Sequence, residues 1–185
     1  MATFNEAQLL QDARTWDMEA LARIYDIYSP LLYRYARRLL ASDDLAEECV
    51  AETFARFLRA LRQGGGPREH LKAYLYRVAH NWITDYYRRQ PPPQTDLDDV
   101  AYTLADDGAP LEAQAASQED QARVRRALRL LTPEQRQVIV LRFYEGWTLK
   151  EVAEVLQKPV GSVKALQHRA VAALRRLLLE EERHG

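Results

Sequence analysis

The sequence has little of what several classes of protein require. It contains a single cysteine, Cys49, which excludes an internal disulfide framework and a zinc site built from cysteines. Its 7 glycines and 8 prolines among 185 residues are too few for a collagen-like or low-complexity chain. No apolar run approaches about 18 residues, and the first residues, MATFNEAQLL, have no basic or apolar signal segment. We therefore expect a soluble, cytoplasmic protein without membrane insertion.

The sequence also lacks the patterns of common catalytic sites. Its four histidines have no metal-ligand spacing. The triple glycine at 64–66 is followed by Pro67 and lacks the Lys-Ser/Thr pair of a phosphate-binding loop. Cys49 occupies an apolar helical position, which favours a core role over a nucleophilic one. We predict no catalytic residue, no metal and no cofactor.

Charge divides the chain into three parts, although the formal net charge is only −1. Residues 1–90 are nearly neutral, residues 91–120 carry eight acids and no base, and residues 121–185 carry a net charge of +6. Three prolines open the acidic stretch, and proline does not continue a helix. This predicts a flexible acidic linker over 91–118 between domains at 1–90 and 119–185. The basic domain suits a polyanion, although a solvated surface is the alternative.

Both domains are predicted to be helical, because apolar residues recur at steps of three and four and strand-like alternation is absent. Predicted helices cover 21–39, about 43–63, about 69–90, a segment from about Asp120, and three more in the C-terminal part. Ser29-Pro30 resembles an N-cap followed by N1, which predicts a break or kink in the first of these. Thr132-Pro133-Glu134-Gln135 and Thr148-Leu149-Lys150-Glu151 are capping boxes that begin two of the C-terminal helices, the first with Val138, Ile139, Leu141 and Phe143 on its apolar face.

The strongest local pattern lies from Thr148 to Leu174. A short capped helix, a turn at Pro159 and a longer helix from near Gly161 or Ser162 form the layout of a helix-turn-helix. The polar side chains predicted to face a DNA duplex are Lys158, Ser162, Lys164, Gln167, His168 and Arg169. Lysine and arginine suit phosphates and guanine, and glutamine suits adenine. A helical hairpin with a solvated basic face is the less favoured alternative.

Bases and aromatics alternate along the helix predicted at 69–90. The residues of this helix that lie outside its apolar face include Lys72, Tyr76, Arg77, His80, Asn81, Asp85, Tyr87, Arg88 and Arg89. Such a surface can follow a nucleic-acid backbone while its aromatic rings stack on unpaired bases. An aromatic core with solvated arginines explains the same residues equally well, so the local pattern leaves both interpretations open.

Three segments together resemble a known family. These are DDLAEECVAETFARFLRAL from Asp43, LKAYLYRVAHNWITDYYRR from Leu71, and LTPEQRQVIVLRFYEGWTLKEVAEVLQKPVGSVKALQHRAVAALRRL from Leu131. They are similar, in order, to region 2.2, regions 2.3 and 2.4, and region 4 of the extracytoplasmic-function sigma factors of bacterial RNA polymerase, a group of the sigma-70 family. The resemblance implies a helical region 2 bundle and a region 4 helix-turn-helix.

The resemblance also implies partners and site residues. Core RNA polymerase would bind through its clamp helices to a surface around Glu47, Glu48, Glu52 and Arg56, and through its flap to region 4. The loop from Gln63 to Arg68 would hold a flipped base of the minus-ten element. The melted strand would follow Lys72, Tyr76, Arg77, Asn81 and Arg88, while region 4 would bind the minus-thirty-five duplex. Promoter DNA is thus the second partner, and an anti-sigma protein is left open as a third.

Several positions depart from the family pattern. Gln157 stands where glycine often ends the first helix of the helix-turn-helix, and His80 stands where arginine is common. In the recognition helix Leu166 takes the buried place and Gln167 faces outward. The promoter sequence therefore does not transfer from relatives. Our interpretation is a sigma factor that binds and opens promoters rather than catalyses. The alternatives are a stand-alone helix-turn-helix regulator with a helical sensor or dimerisation domain, and a helical interaction module without DNA contact.

Overall fold

The structure, a computed structural model, describes residues 4–90 and 111–184. Every regular element within those ranges is a helix: α1 (Glu6–Arg14), α2 (Met18–Leu40), α3 (Asp43–Arg62), α4 (Leu71–Arg89), α5 (Leu111–Leu130), α6 (Pro133–Ile139), α7 (Leu149–Leu156) and α8 (Val160–His184). The segment Val140–Tyr144 continues α6 as a π-helical turn. The all-α prediction is confirmed. No helix in the described part of the chain is both long and apolar enough to span a membrane.

The helix α2 passes through Pro30 without interruption, so the break, one of the two predicted outcomes at Ser29-Pro30, is wrong. Proline inside a helix removes one backbone hydrogen bond. Here the ring of Pro30 is exposed, while Ile24, Tyr28 and Leu32 are at most 2% exposed. Packing of this apolar stripe stabilises the helix more than the missing hydrogen bond destabilises it.

The helices α3 and α4 are joined by a glycine-rich loop. Ser42 caps α3 by accepting a hydrogen bond from the backbone N–H of Leu45 (3.3 Å). After Arg62 the chain turns through Gly64 and Gly66, whose φ angles are +77° and +80°. These left-handed conformations favour glycine. The loop therefore ends α3 where the sequence predicts, and α4 begins at Leu71.

The helix α5 begins at Leu111, earlier than the predicted start near Asp120. The extended linker predicted over 91–118 is therefore wrong for residues 111–118. The segment LEAQAA at 111–116 consists of residues with high helix propensity, which accounts for the longer helix. Residues 91–110, the rest of the predicted linker, lie outside the described residues.

Both predicted capping boxes are present in the C-terminal part. In the second, the backbone N–H of Glu151 donates to Thr148 Oγ1 (3.2 Å), and the Glu151 carboxylate accepts from the Thr148 N–H (2.7 Å). The predicted apolar position of Phe143 is wrong, because this side chain is 59% exposed. The π-helical turn after Ile139 shifts the register of the residues that follow it.

The two halves pack against each other through α4. This helix contacts α2 and α3 of its own bundle and also α7 of the C-terminal half. One cluster of buried apolar side chains continues from the first bundle to residues of α7 and α8. As a result, α4 lies between two layers of helices, which determines how much of its surface is open.

Candidate nucleic-acid interface

The helices α7 and α8 form the predicted helix-turn-helix. The helical period of α8 predicts an inward stripe of Val163, Leu166, Ala170 and Leu174. Val163 and Ala170 are fully buried and Leu166 is 6% exposed, which confirms three of the four positions, whereas Leu174 is half-buried. Gln157 ends α7 in the left-handed conformation, with φ +53°. Glycine would adopt this conformation without strain, which explains the residue that the family often has here. The next helix begins at Val160, slightly before the predicted start.

The outward face of α8 is open and polar. Ser162, Lys164, His168 and Arg169 are all exposed. Lys158 lies in the turn and pairs with Glu134 of α6, with 3.1 Å between Nζ and the carboxylate. Lysine and arginine on an open helix face can contact phosphates and base edges of a duplex. The predicted minus-thirty-five residues thus lie on α8 and in the turn before it, and we call them together the α8 surface.

Gln167 differs from its neighbours on the α8 surface because it is half-buried and already bonded. Its Oε1 accepts a hydrogen bond from Nε of Arg142 (2.9 Å). The same arginine donates to the backbone carbonyl of Trp147. Arg142 therefore fixes the orientation of the Gln167 amide and leaves its NH₂ group for an outside acceptor. Arg142 lies 25 residues before Gln167, so no local sequence pattern indicates this contact.

The second candidate surface consists of the glycine-rich loop and α4. We call the predicted minus-ten residues, Gln63, Arg68, Lys72, Tyr76, Arg77, Asn81 and Arg88, together with this loop, the α4 surface. Gln63, Arg68, Asn81 and Arg88 are exposed. Arg77 is half-buried, with its guanidinium carbon 5.6 Å from the ring centroid of Tyr74. A cleft of about 410 Å³ lies beside the loop, lined by Gly66, Pro67, His70, Tyr74, Arg77 and Glu154 among others.

The remaining part of the α4 surface is covered by Trp147, which lies between α6 and α7. Tyr76 is 1% exposed, and its ring centroid lies 4.6 Å from that of Trp147. The Nζ of Lys72 lies 4.4 Å from the Trp147 ring centroid, a cation–π geometry. Trp147 itself is 3% exposed. Two predicted minus-ten residues, Lys72 and Tyr76, are therefore closed to solvent in whole or in part by the C-terminal half.

Glu145 strengthens the same contact between the halves. Its carboxylate accepts from the Tyr76 hydroxyl (3.4 Å) and pairs with Arg38 of α2 (3.5 Å), and its side chain is 8% exposed. Burial, with the nearby carboxylate of Glu145, raises the pKa of Tyr76. The hydroxyl therefore stays protonated and can donate to Glu145. The Arg38 guanidinium also lies 4.6 Å from the ring centroid of Tyr144.

A histidine and an arginine meet farther along the boundary between the halves. Burial lowers the pKa of His80 to about 4, with Glu134 and Arg136 of α6 near enough to contribute smaller opposing effects. His80 is therefore neutral at pH 7. Buried Arg136 donates to the carbonyls of Leu128 (2.7 Å), Arg129 (2.9 Å) and Leu131 (3.2 Å) at the end of α5, and its guanidinium lies 4.9 Å from the Tyr87 ring centroid.

The predicted polymerase surface lies on α3. Glu47 and Glu48 are exposed, while Glu52 and Arg56 are half-buried and pair one helical turn apart (2.9 Å). A groove of about 750 Å³ between α2 and α3 adjoins this surface, with Tyr25, Tyr33, Arg34, Glu47 and Val50 among its lining residues. Tyr25 is 50% exposed. The sequence pattern assigned Tyr25 to the core, since it falls within the apolar steps of α2.

Cys49 is fully buried, and burial raises the pKa of its thiol to about 12. Both observations agree with its predicted place in the core. Among the residues that the structure describes, no three histidine, cysteine or carboxylate side chains come together as a metal site.

Comparison with known proteins assigns the two halves. The family model described as "Sigma-70 region 2" matches residues 24–91, and "Sigma-70, region 4" matches residues 127–176. The ECF RNA polymerase sigma factor BldN of Streptomyces coelicolor is 30% identical over 181 residues, 95% of this chain and 67% of that protein.

Two solved structures are also similar over most of this chain. CnrH in complex with the cytosolic domain of CnrY is 25% identical, covers 94% of this chain and 96% of its own, and has a TM-score of 0.70. RpoE in complex with the anti-sigma factor NepR from Bartonella quintana is 25% identical, covers 85% and 95%, and has a TM-score of 0.61. The chain thus belongs to the extracytoplasmic-function group of the sigma-70 family, as an RNA polymerase sigma factor that acts in transcription initiation.

Proposed function

We propose that the α8 surface binds the minus-thirty-five duplex and that the α4 surface binds the melted minus-ten strand. The observation that carries this proposal is the α7–α8 helix-turn-helix, whose buried stripe leaves Lys164, His168 and Arg169 exposed on one face. A recognition helix in a major groove needs such an open polar face. In this assignment Gln167 and Lys164 contact bases, while Lys158, Ser162 and Arg169 contact phosphates.

The loop and the open part of α4 suit unpaired bases. The cleft beside Gly66 and Pro67 has both an aromatic wall, Tyr74, and a cation, Arg77. A base can stack on an aromatic ring while the cation contacts the strand. Gln63 and Arg68 are exposed at the loop itself. The cost of unstacking a base, a few kcal/mol, would be offset by these contacts.

In this proposal, strand binding requires the two halves to separate. Lys72 and Tyr76 belong to the assigned strand path, and Trp147 covers both. Core RNA polymerase would hold region 2 and region 4 apart by binding each of them. Region 2 would dock through Glu47, Glu48, Glu52 and Arg56 beside the groove between α2 and α3, and region 4 would dock on the flap. The resemblance to RpoE, whose solved complex contains an anti-sigma factor, supports a partner of that kind here.

The proposed domain limits are 1–90 for region 2 and 119–185 for region 4. Both family matches fall almost entirely within these limits. The chain would act by binding, with its partners supplying the chemistry. Its place of action would be the cytoplasm, where the polymerase and its promoters are found.

Transcription from purified components tests the proposal. Core polymerase with this chain should start transcripts at promoters that core polymerase alone does not use. Charge reversal at Glu48→Lys with Glu52→Lys should weaken core binding without loss of helicity, since the Glu52–Arg56 pair is worth only about 0.5 kcal/mol. A matched control is Glu119→Lys with Glu180→Lys, which changes the net charge equally on α5 and α8. Wild-type core affinity in the Glu48/Glu52 variant would remove this surface from the docking site.

A further inference from the structure

The helix α1 precedes the residues matched by the region 2 family model, which begin at residue 24. It is nevertheless fixed on the bundle, because Leu10 and Ala13 are fully buried. Its two charged ends reach the loop between α3 and α4. Arg14 is at the C-terminal end of α1, and Glu6 is at the N-terminal end.

The guanidinium of Arg14 bonds three backbone carbonyls of the glycine-rich loop. Its Nη1 donates to the carbonyls of Gly65 (2.8 Å) and Pro67 (2.9 Å), and its Nη2 donates to that of Gly64 (3.4 Å). These partners are at least 50 residues away in the sequence. A charged donor that bonds three carbonyls holds a segment of backbone in one conformation.

These bonds are not needed to end α3. The last carbonyls of α3 already accept from the loop itself: Gln63 N–H to Arg59 (3.1 Å), Gly64 N–H to Leu61 (3.0 Å), and Gly65 N–H to Ala60 (2.8 Å). Arg14 therefore acts on the loop carbonyls beyond the helix. Glycine has the largest conformational freedom of all residues. Hydrogen bonds from Arg14 therefore restrict a loop with three glycines more than they would restrict other loops.

Glu6 fixes the other end of the same loop. His70 precedes α4 in the left-handed conformation and provides no side-chain cap. The Glu6 carboxylate takes that role, since it accepts from the backbone N–H of Leu71 (3.0 Å) and from the hydroxyl of Tyr28 (2.5 Å). The loop from Gln63 to Leu71 is thus held at both ends by α1.

We propose that Arg14 is a positioning residue for minus-ten recognition: by bonding the carbonyls of Gly64, Gly65 and Pro67, it holds the loop in the shape that accepts an unpaired base. This inference rests on the proposed function of the loop. Because Arg14 orders the loop when the protein folds, binding of a base does not have to offset the conformational entropy that the loop loses on ordering. Loss of the brace reduces base discrimination at the loop and leaves polymerase docking, on α2 and α3, intact.

The test uses holoenzyme assembled from this chain and core RNA polymerase. The probe is a pool of single-stranded non-template oligonucleotides, randomised over the minus-ten segment, and sequencing of the bound fraction gives the enrichment of each base. Arg14→Met keeps the aliphatic stem and removes the donors. Its expected effect is a loss of about tenfold to a hundredfold in enrichment at the position read by the loop. Arg14→Lys, which restores a positive donor, should recover part of it.

The control variant is Arg59→Ala, which removes an exposed arginine from the last turns of α3. It should keep the wild-type enrichment. Wild-type enrichment in Arg14→Met would overturn the inference. Gln63→Ala and Arg68→Ala separate this failure from that of the proposed function: if these variants reduce enrichment but Arg14→Met does not, only the brace is wrong. If none of the three changes enrichment, the loop does not read the base at all.

Discussion

The α8 surface and the α4 surface have similar residues, but only the α4 surface is covered in part by the other half of the chain. Both carry lysine or arginine on a helix that buries an apolar stripe. The helix α8 packs on one side only, so Lys164 and His168 are exposed. The helix α4 lies between α2 and α3 on one hand and α7 on the other, so Lys72 is half-buried and Tyr76 is closed under Trp147.

This difference agrees with the kind of DNA that each surface is proposed to bind. A duplex presents its groove to an open helix, and lysine or arginine on that helix needs no rearrangement to reach it. Aromatic side chains that stack on unpaired bases are apolar, and burial keeps them from water until a strand replaces the protein contact. Exposure of Lys72 and Tyr76 on the α4 surface therefore depends on the contact between the halves, whereas exposure of Lys164 and His168 on the α8 surface does not.

The largest expected effect comes from removal of the Trp147 side chain, which covers Lys72 and Tyr76. Trp147→Ala should destabilise the closed arrangement by about 3–5 kcal/mol, the usual cost of truncating a buried tryptophan. At the same time it should increase the affinity of the chain alone for a labelled single-stranded oligonucleotide, because Tyr76 and Lys72 become accessible. Thermal unfolding and fluorescence anisotropy measure the two effects.

Trp16→Ala is the matched control for this prediction. Trp16 is 37% exposed and lies against Arg62 of α3. It should leave strand affinity unchanged. If Trp147→Ala lowers stability but does not raise strand affinity, the cover does not regulate access to the α4 surface.

A smaller effect is expected from acid. His80 has a pKa of about 4 in the closed arrangement, against 6.5 when exposed, so it is neutral when closed and takes up a proton more readily when open. The free energy of unfolding that depends on neutral His80 is fully present above pH 6.5 and is lost as the pH falls towards 4. Between pH 7.5 and 5 this free energy falls by about 2 kcal/mol.

The pH dependence is checked by the unfolding free energy of wild type and His80→Gln across that range. His80 is in contact with Thr84 of its own helix and faces Glu134 and Arg136 of α6. The variant should lose less stability on acidification, and His168→Gln, on the open α8 surface, should behave as wild type. Parallel curves for wild type and His80→Gln would place the pH dependence in other groups.

The smallest effect is expected on the surface that is already open. A bidentate base contact is worth about 1–3 kcal/mol of discrimination, and the Gln167 carbonyl is already shared with Arg142. Gln167→Ala should therefore relax preference about tenfold at one minus-thirty-five position. Lys164→Ala should relax preference at a second position by the same mechanism, and neither variant should alter access to α4.

A panel of minus-thirty-five duplex variants at fixed salt measures this prediction, because salt alone changes affinity strongly. Arg175→Ala and Arg176→Ala are exposed controls farther along α8 and should keep the base preference. Unchanged preference in both Gln167→Ala and Lys164→Ala would show that another face of α8 reads the duplex.

Features that depend on a few neighbouring residues were predictable. A capping box needs only a hydroxyl and a carboxylate or amide three residues apart, so Thr132 and Thr148 were identified correctly. The α8 stripe of Val163, Leu166 and Ala170 follows from helical period alone. The acidic charge of 91–120 predicts a linker, but the helix propensity of residues 111–116 outweighs it, so α5 begins at Leu111.

The exposure of a side chain was less predictable where elements from two parts of the chain pack against it. Helical period placed Tyr76 outside the apolar stripe of α4, yet its ring centroid lies 5.1 Å from that of buried Tyr35 in α2 and 4.6 Å from that of Trp147. Its burial therefore comes from both halves of the chain. Pro30 is the converse case, since its local signal for a helix break was overcome by packing of the residues on either side.

By itself the sequence determined the helical class, the caps, the helix-turn-helix and the family, because each depends on hydrogen bonds and apolar spacing within a short stretch of chain. The tertiary structure alone decided which part of the α4 surface is covered, how Arg142 orients Gln167, and that Arg14 braces the glycine-rich loop. Each of these joins residues at least 25 positions apart. Such contacts depend on how the folded helices pack against one another, and the spacing of residues along the chain does not determine that packing.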